Sequence, residues 1–157
     1  MKKKSVLKSL TPEQFREKWL RALKGGRYKQ TTNYLKNDNG YCCLGVACEI
    51  YNKNFTDKLE IEAFENSYGN GSVVFIDNGS YDSVLPPRVK KALGLQTQSG
   101  DFKYKNGASC SLVDLNDSGK TFKEIAKLIE SKPKGLFVTA KKKVQKKIKK
   151  TKRKTKK

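Results

Sequence analysis

The chain has 157 residues, with 35 lysines and arginines against 15 carboxylates, a net charge of +20, and no histidine. The length suits one domain with a real core. The missing histidine excludes the Ser-His-Asp triad, the Cys-His dyad and every imidazole metal site, so a zinc site would have to be built from cysteine and carboxylate alone.

The first ten residues, MKKKSVLKSL, are basic, and no apolar stretch follows the positive start. They read as a basic N-terminal extension (1–10), not as a secretory leader. A globular domain is expected over 11–139. Its first element is well marked: Thr11 suits an N-cap and Pro12 the first helical position. Phe15, Trp19, Leu20 and Leu23 then recur on one helical face until Gly25-Gly26 stops the helix. Trp19 is expected to anchor the core.

Residues 27–40 alternate in character and close on Asn37-Asp38-Asn39-Gly40, a turn signal, so a short hairpin or extended arm is expected. Tyr41 to Tyr51 is small and apolar, which suits a buried helix packed closely through Gly45 and Ala47. Residues 52–80 are polar, with one clear strand at 72–76 and a candidate partner at 58–64. Leu85-Pro86-Pro87 opens a short helix that Gly94 closes, with Leu85, Val89, Leu93 and Leu95 inward.

Residues 100–108 suggest a small turn or hairpin around Phe102 and Tyr104. Ser109 or Ser111 then caps a short helix through Leu112, Val113 and Leu115, broken by Asn116-Asp117-Ser118-Gly119. Thr121 and Glu124 form a capping box ahead of Phe122, Ile125, Ala126 and Ile129, the apolar face of a last helix that ends before Pro133. The fold class is α+β: one small domain of about four helices with a few short antiparallel strands.

Four thiols are present: Cys42, Cys43, Cys48 and Cys110. With no secretory leader they read as reduced, which points to an intracellular protein of the cytoplasm, nucleus or nucleoid. No CxxC pair exists, and adjacent Cys42 and Cys43 make awkward zinc ligands, so no metal and no cofactor is expected. A cysteine at a helix start would gain thiolate character from the dipole, but without histidine its base would have to be Asp114 or Asp117. The chain therefore leans away from being an enzyme. Asn116 and Asp117 have the residue types of a turn; a functional alternative has them line a pocket with Tyr41, Cys42 and Cys43. No Walker, Rossmann or EF-hand spacing is present.

From Ala140 the composition changes. Twelve of the last eighteen residues are basic and none is acidic: Lys141, Lys142, Lys143, Lys146, Lys147, Lys149, Lys150, Lys152, Arg153, Lys154, Lys156 and Lys157. Without them, residues 1–139 retain 23 basic and 15 acidic side chains, a net of +8. The run is expected to be a disordered basic tail (140–157) whose lysines each contact a phosphate of DNA or RNA. It has no aromatic residue to stack on bases, so binding should be nonspecific. Val144 and Ile148 offer too little apolar area for membrane insertion. Lys149 to Lys157 is also dense enough for a nuclear-import signal.

Gly40-Tyr41-Cys42-Cys43-Leu44-Gly45-Val46, together with Leu115-Asn116-Asp117-Ser118-Gly119 and the following Phe122-Lys123-Glu124-Ile125-Ala126, carries a resemblance. The chain resembles, over about residues 12–131, a family of small proteins encoded mostly by bacteriophages and other large-DNA viruses, with relatives in bacteria. The resemblance implies a viral accessory protein and carries over no catalytic residue. Three readings follow. The first is an accessory protein binding nucleic acid through its tail, with a protein partner open to the globular domain. The second is a small ligand-binding or enzymatic effector with the pocket around Cys43, Asn116 and Asp117. The third is a genome-condensing, virion-associated protein.

Overall fold

The computed structural model describes residues 9–139. Almost all of the N-terminal extension, and the whole tail with its twelve basic residues, lie outside the described residues. Five helices and seven short strands are present among those described. All strand pairs are antiparallel, so the domain is α+β, with one helix more than the sequence suggested.

Helix α1 (Pro12–Lys24) starts as the sequence requires. The Thr11 hydroxyl accepts the Gln14 N–H and the Gln14 side chain accepts the Thr11 N–H, a reciprocal capping box. Its buried stripe is Phe15, Trp19 and Leu23, with Leu20 at the margin. Strands β1 (Lys36–Asn37) and β2 (Gly40–Tyr41) form the hairpin that the Asn-Asp-Asn-Gly turn called for. They feed α2 (Cys43–Asn54), whose first half is buried all round. Gly45 explains how α2 packs so deep. A Cβ there would run into the backbone carbonyl of Leu35, so only glycine lets the helix reach the preceding loop.

Strands β3 (Glu60–Glu65) and β4 (Gly71–Ile76) pair along their full length, and β5 (Ser80–Tyr81) pairs with the end of β4. The sheet order is β2-β1-β4-β3. Every residue of the edge strand β3 is exposed, and Glu60, Glu62 and Glu65 place charge on the edge, a common guard against unwanted strand pairing. Helix α3 (Pro87–Leu93) ends at Gly94 with φ +72°, the left-handed conformation that glycine adopts freely. Leu85, Val89, Leu93 and Leu95 are all buried.

Strands β6 (Asp101–Lys103) and β7 (Ser109–Ser111) form the second hairpin. Ser111 caps α4 (Leu112–Asp117), and the Thr121–Glu124 capping box starts α5 (Phe122–Glu130). Asn116 and Asp117 thus belong to the last turn of a helix, and the chain breaks only at Ser118-Gly119. Helix α1 lies at the centre, packed on α2, α3 and α5. The Trp19 indole N–H donates to the Cys43 carbonyl oxygen at 2.8 Å inside the core, which satisfies the one polar atom that burying a tryptophan brings in.

Candidate nucleic-acid interface

The five residues proposed for a pocket do come together, but as a filled junction. Asn116 is fully buried. Its Oδ1 accepts the Cys43 N–H at 3.1 Å and the Gln30 side-chain amide at 3.0 Å. Its Nδ2 donates to the Thr31 carbonyl at 2.8 Å and to Asp117 Oδ1 at 3.2 Å. Three of the four hydrogen bonds of the amide go to distant chain segments, and the fourth goes to the neighbouring Asp117. This differs from a turn-closing role, because most of the partners lie far away in sequence. Asp117 Oδ1 also accepts the Asn33 N–H at 3.0 Å, which holds Asn33 at φ +69°. Tyr41 is half-buried beside this junction, edge-on to Tyr28 with ring centres 5.2 Å apart.

The cysteines fit the same description. Cys42 is the N-cap of α2, and its Sγ accepts the Gly45 N–H at 3.3 Å. The Cys43 thiol donates to the Leu112 carbonyl at 3.6 Å. Burial pushes the Cys42 thiol up to about 11 and the Cys43 and Cys48 thiols well above their ordinary value. A helix N-terminus stabilises a nearby anion by about 0.3–1 kcal/mol, whereas full burial shifts an ionisable group by as much as roughly 3–5 pH units. Desolvation wins, and these thiols stay protonated. Among the described residues no cluster of three or more cysteines and carboxylates is placed to hold a metal ion.

Open clefts lie elsewhere. One, of about 980 Å3, runs between the β6–β7 hairpin and the end of α5. Lys103, Lys105, Lys132 and Lys134 line it, with Tyr104 among them and no carboxylate. Tyr104 is 41% exposed and rests edge-to-face on Phe102, ring centres 5.1 Å apart. The buried Phe102 below fixes where the tyrosine stands. The two lysine pairs come from segments about thirty residues apart. They are joined by one backbone hydrogen bond, Lys103 N–H to the Lys134 carbonyl at 2.8 Å.

Lys132 follows the C-cap of α5 and has φ +49°. A lysine in the left-handed region costs roughly 1–2 kcal/mol relative to ordinary backbone. Glycine is the usual residue there, so a cation stands at a strained position on the cleft wall. Sequence reasoning missed this cleft. Its signals were the alternation Lys103-Tyr104-Lys105 and the pair Lys132 and Lys134 around Pro133, which become one surface only when the chain folds.

From the cleft the chain runs back across the body. Leu136 is buried, the Val138 N–H donates to the Gly94 carbonyl at 2.8 Å, and Phe137 lies under the Arg16 guanidinium at 4.5 Å. Residue 139 is the last described. Six residues separate Pro133, which lines the cleft, from the start of the basic arm at Ala140. No helix among the described residues is long and apolar enough to cross a membrane.

No curated protein and no solved structure matches the chain. The family described as Domain of unknown function (DUF8296) matches residues 12–133. That span opens at the first residue of α1 and closes just after α5, covering all five helices and all seven strands among the described residues without either basic end. The chain belongs to this family of domains of unknown function, DUF8296.

Proposed function

We infer that the protein is a viral-type accessory protein that binds nucleic acid nonspecifically, acting inside the host cell. The basic arm 140–157 supplies most of the charge, and the lysine-lined cleft around Tyr104 continues it on the folded body. The observation that carries the reading is the cleft composition. Four lysines surround an exposed aromatic ring with no carboxylate in the wall. Cations neutralise backbone phosphates, and an aromatic face stacks on any base, so the pair of features suits single strands without sequence preference. The absence of a carboxylate matters because phosphate and carboxylate would repel each other.

A salt series tests this. Affinity for duplex DNA and for single-stranded RNA is measured for the full chain and for a full-length variant with the twelve basic residues of 140–157 changed to glutamine. Each neutralised phosphate contributes roughly 0.9 to the slope of log K against log salt for duplex DNA. The native chain should show a steep slope. The variant should retain a residual slope of about 3.6 on duplex DNA, from the four cleft lysines. A native chain with no salt-dependent affinity would falsify the reading, and a variant that binds as tightly as the native chain would remove the tail from it.

A further inference from the structure

A second basic cleft lies where the C-terminal ends of α1 and α2 meet. Its volume is about 360 Å3, and its charged lining is Lys18, Arg21, Arg27 and Lys53, again without a carboxylate. Tyr28 forms part of the wall. Lys53 is held there: its Nζ donates to Tyr28 Oη at 3.0 Å and sits 3.6 Å from Glu49. Lys18, Arg21 and Arg27 have no carboxylate within 4.0 Å among the described residues.

Helix electrostatics accounts for only part of this cluster. A helix C-terminus carries about half a negative charge and attracts cations in its last turn. That explains Arg21 and Lys24. Lys18 stands before the last turn, and Arg27 lies beyond the helix. Lys18 and Arg21 are also three apart on one helix, a spacing at which like charges repel. Four cations against two helix ends and Glu49 leave a local excess of about two positive charges. The surface between this cleft and the Tyr104 cleft is of mixed charge. It carries Glu13, Glu17 and Glu130 beside Arg16, Arg21, Lys24 and Lys132, with Lys24 paired to Glu130. The two basic clefts share no lining residue and are separate sites.

We propose that this second cleft is an independent binding site for a backbone phosphate of nucleic acid, held by Arg21 and Arg27. The inference rests on the nucleic-acid reading above. Arginine is the residue suited to the task, because its planar fork can donate two parallel hydrogen bonds to one phosphate. The volume stands near the lower end for small-ligand sites, which gives room for a phosphate and its sugar.

The test uses the full chain with its tail intact. Arg21→Gln with Arg27→Gln is compared with Lys90→Gln with Lys91→Gln, a control on α3 that removes the same charge. The cleft variant should lower the duplex salt slope by about 1, close to the 0.9 expected for one lost phosphate contact, and the control should leave it unchanged. Equal effects of the two variants would reduce the result to net charge and overturn the site, as would no effect of the cleft variant. In both cases the tail reading survives if the native chain still binds with a steep slope. A native chain that binds neither duplex nor single strand sinks both together. Inorganic phosphate at matched ionic strength separates the two phosphate sources. The native chain should hold its duplex. Displacement from the native chain alone, with the arginine variant insensitive, would make the cleft a free-phosphate site and overturn its assignment to nucleic acid.

Discussion

The side-chain oxygen of Asn116 accepts the backbone N–H of Cys43 at 3.1 Å, across 73 positions of sequence. This bond ties the end of α4 to the first turn of α2. Through the same amide it also ties both to the loop at Gln30 and Thr31. The Cys-Cys-Leu-Gly-Val segment and the Leu-Asn-Asp segment meet here because each supplies what the other lacks. A helix N-terminus has N–H groups with no partner inside the helix, and a buried amide needs every hydrogen bond it can make.

Replacing Asn116 with alanine should therefore cost about 3 kcal/mol. The Cys43 N–H and the Thr31 carbonyl would lose their partner, and each unsatisfied buried group costs roughly 1–3 kcal/mol. Urea denaturation at constant m-value checks this. A loss under half a kcal/mol would mean that water replaces the amide and that the junction is not a structural tie.

Gly45→Ala tests the close approach of α2 to Leu35. The added methyl meets backbone, which cannot rotate away. Forced overpacking costs typically 1–3 kcal/mol, whereas alanine in an open helix position would gain close to 1 kcal/mol over glycine. The expected sign is destabilising, read as a lower urea midpoint. A stabilised variant would show that the loop moves aside.

The thiols divide sharply under labelling. In native protein near pH 8, iodoacetamide should add to Cys110, which is half-buried, before it reaches Cys42, Cys43 or Cys48, which are buried. Mass spectrometry should show one adduct folded and four unfolded. Rapid native alkylation of Cys43 would contradict its packing.

The same burial gives an alkaline limit. The folded Cys42 thiol is raised to about 11 from its ordinary value of 9.0, and burial also holds Cys43 and Cys48 well above that ordinary value. The folded state then holds protons that the unfolded state releases. Stability is fully present below pH 9, and the contribution of Cys42 is lost as pH rises through about 11. Urea midpoints should be flat below pH 9 and fall across that window.

Lys132→Gly should separate stability from binding. Removing the left-handed strain at φ +49° should stabilise the domain by about 1 kcal/mol, while the loss of one cleft cation should reduce the nucleic-acid salt slope by about 1. A variant that is more stable and binds unchanged would mean that Lys132 contacts no phosphate.

Much of the fold was legible in the chain. Helix α1 with its N-cap at Thr11, the capping box at Thr121, the turn before Gly40, the strand at 72–76 and the stop at Gly94 all depend on neighbours within a few residues, where spacing and cap chemistry act locally. The buried character of Tyr41 to Tyr51 was also visible, because small apolar residues at Gly45 and Ala47 suit only close packing.

Tertiary structure decided what those elements do to one another. Asn116 and Asp117 have the composition of a turn, yet Asn116 bonds to groups up to 86 positions away. Hydrogen bonds between distant segments leave no spacing in the sequence to read. Cys42 begins a helix, which alone would favour a thiolate, but burial opposes ionisation more strongly. The lysines at 103, 105, 132 and 134, and the cations at 18, 21, 27 and 53, look like scattered solvated charge until folding gathers them. The sequence by itself determined the sign of the chain's own charge, since +20 with twelve cations in one run depends on no fold. Where the folded body could present that charge, and which of its cations stand clear of carboxylates, were decided by tertiary structure, because electrostatic interaction depends on distance through space and not on order along the chain.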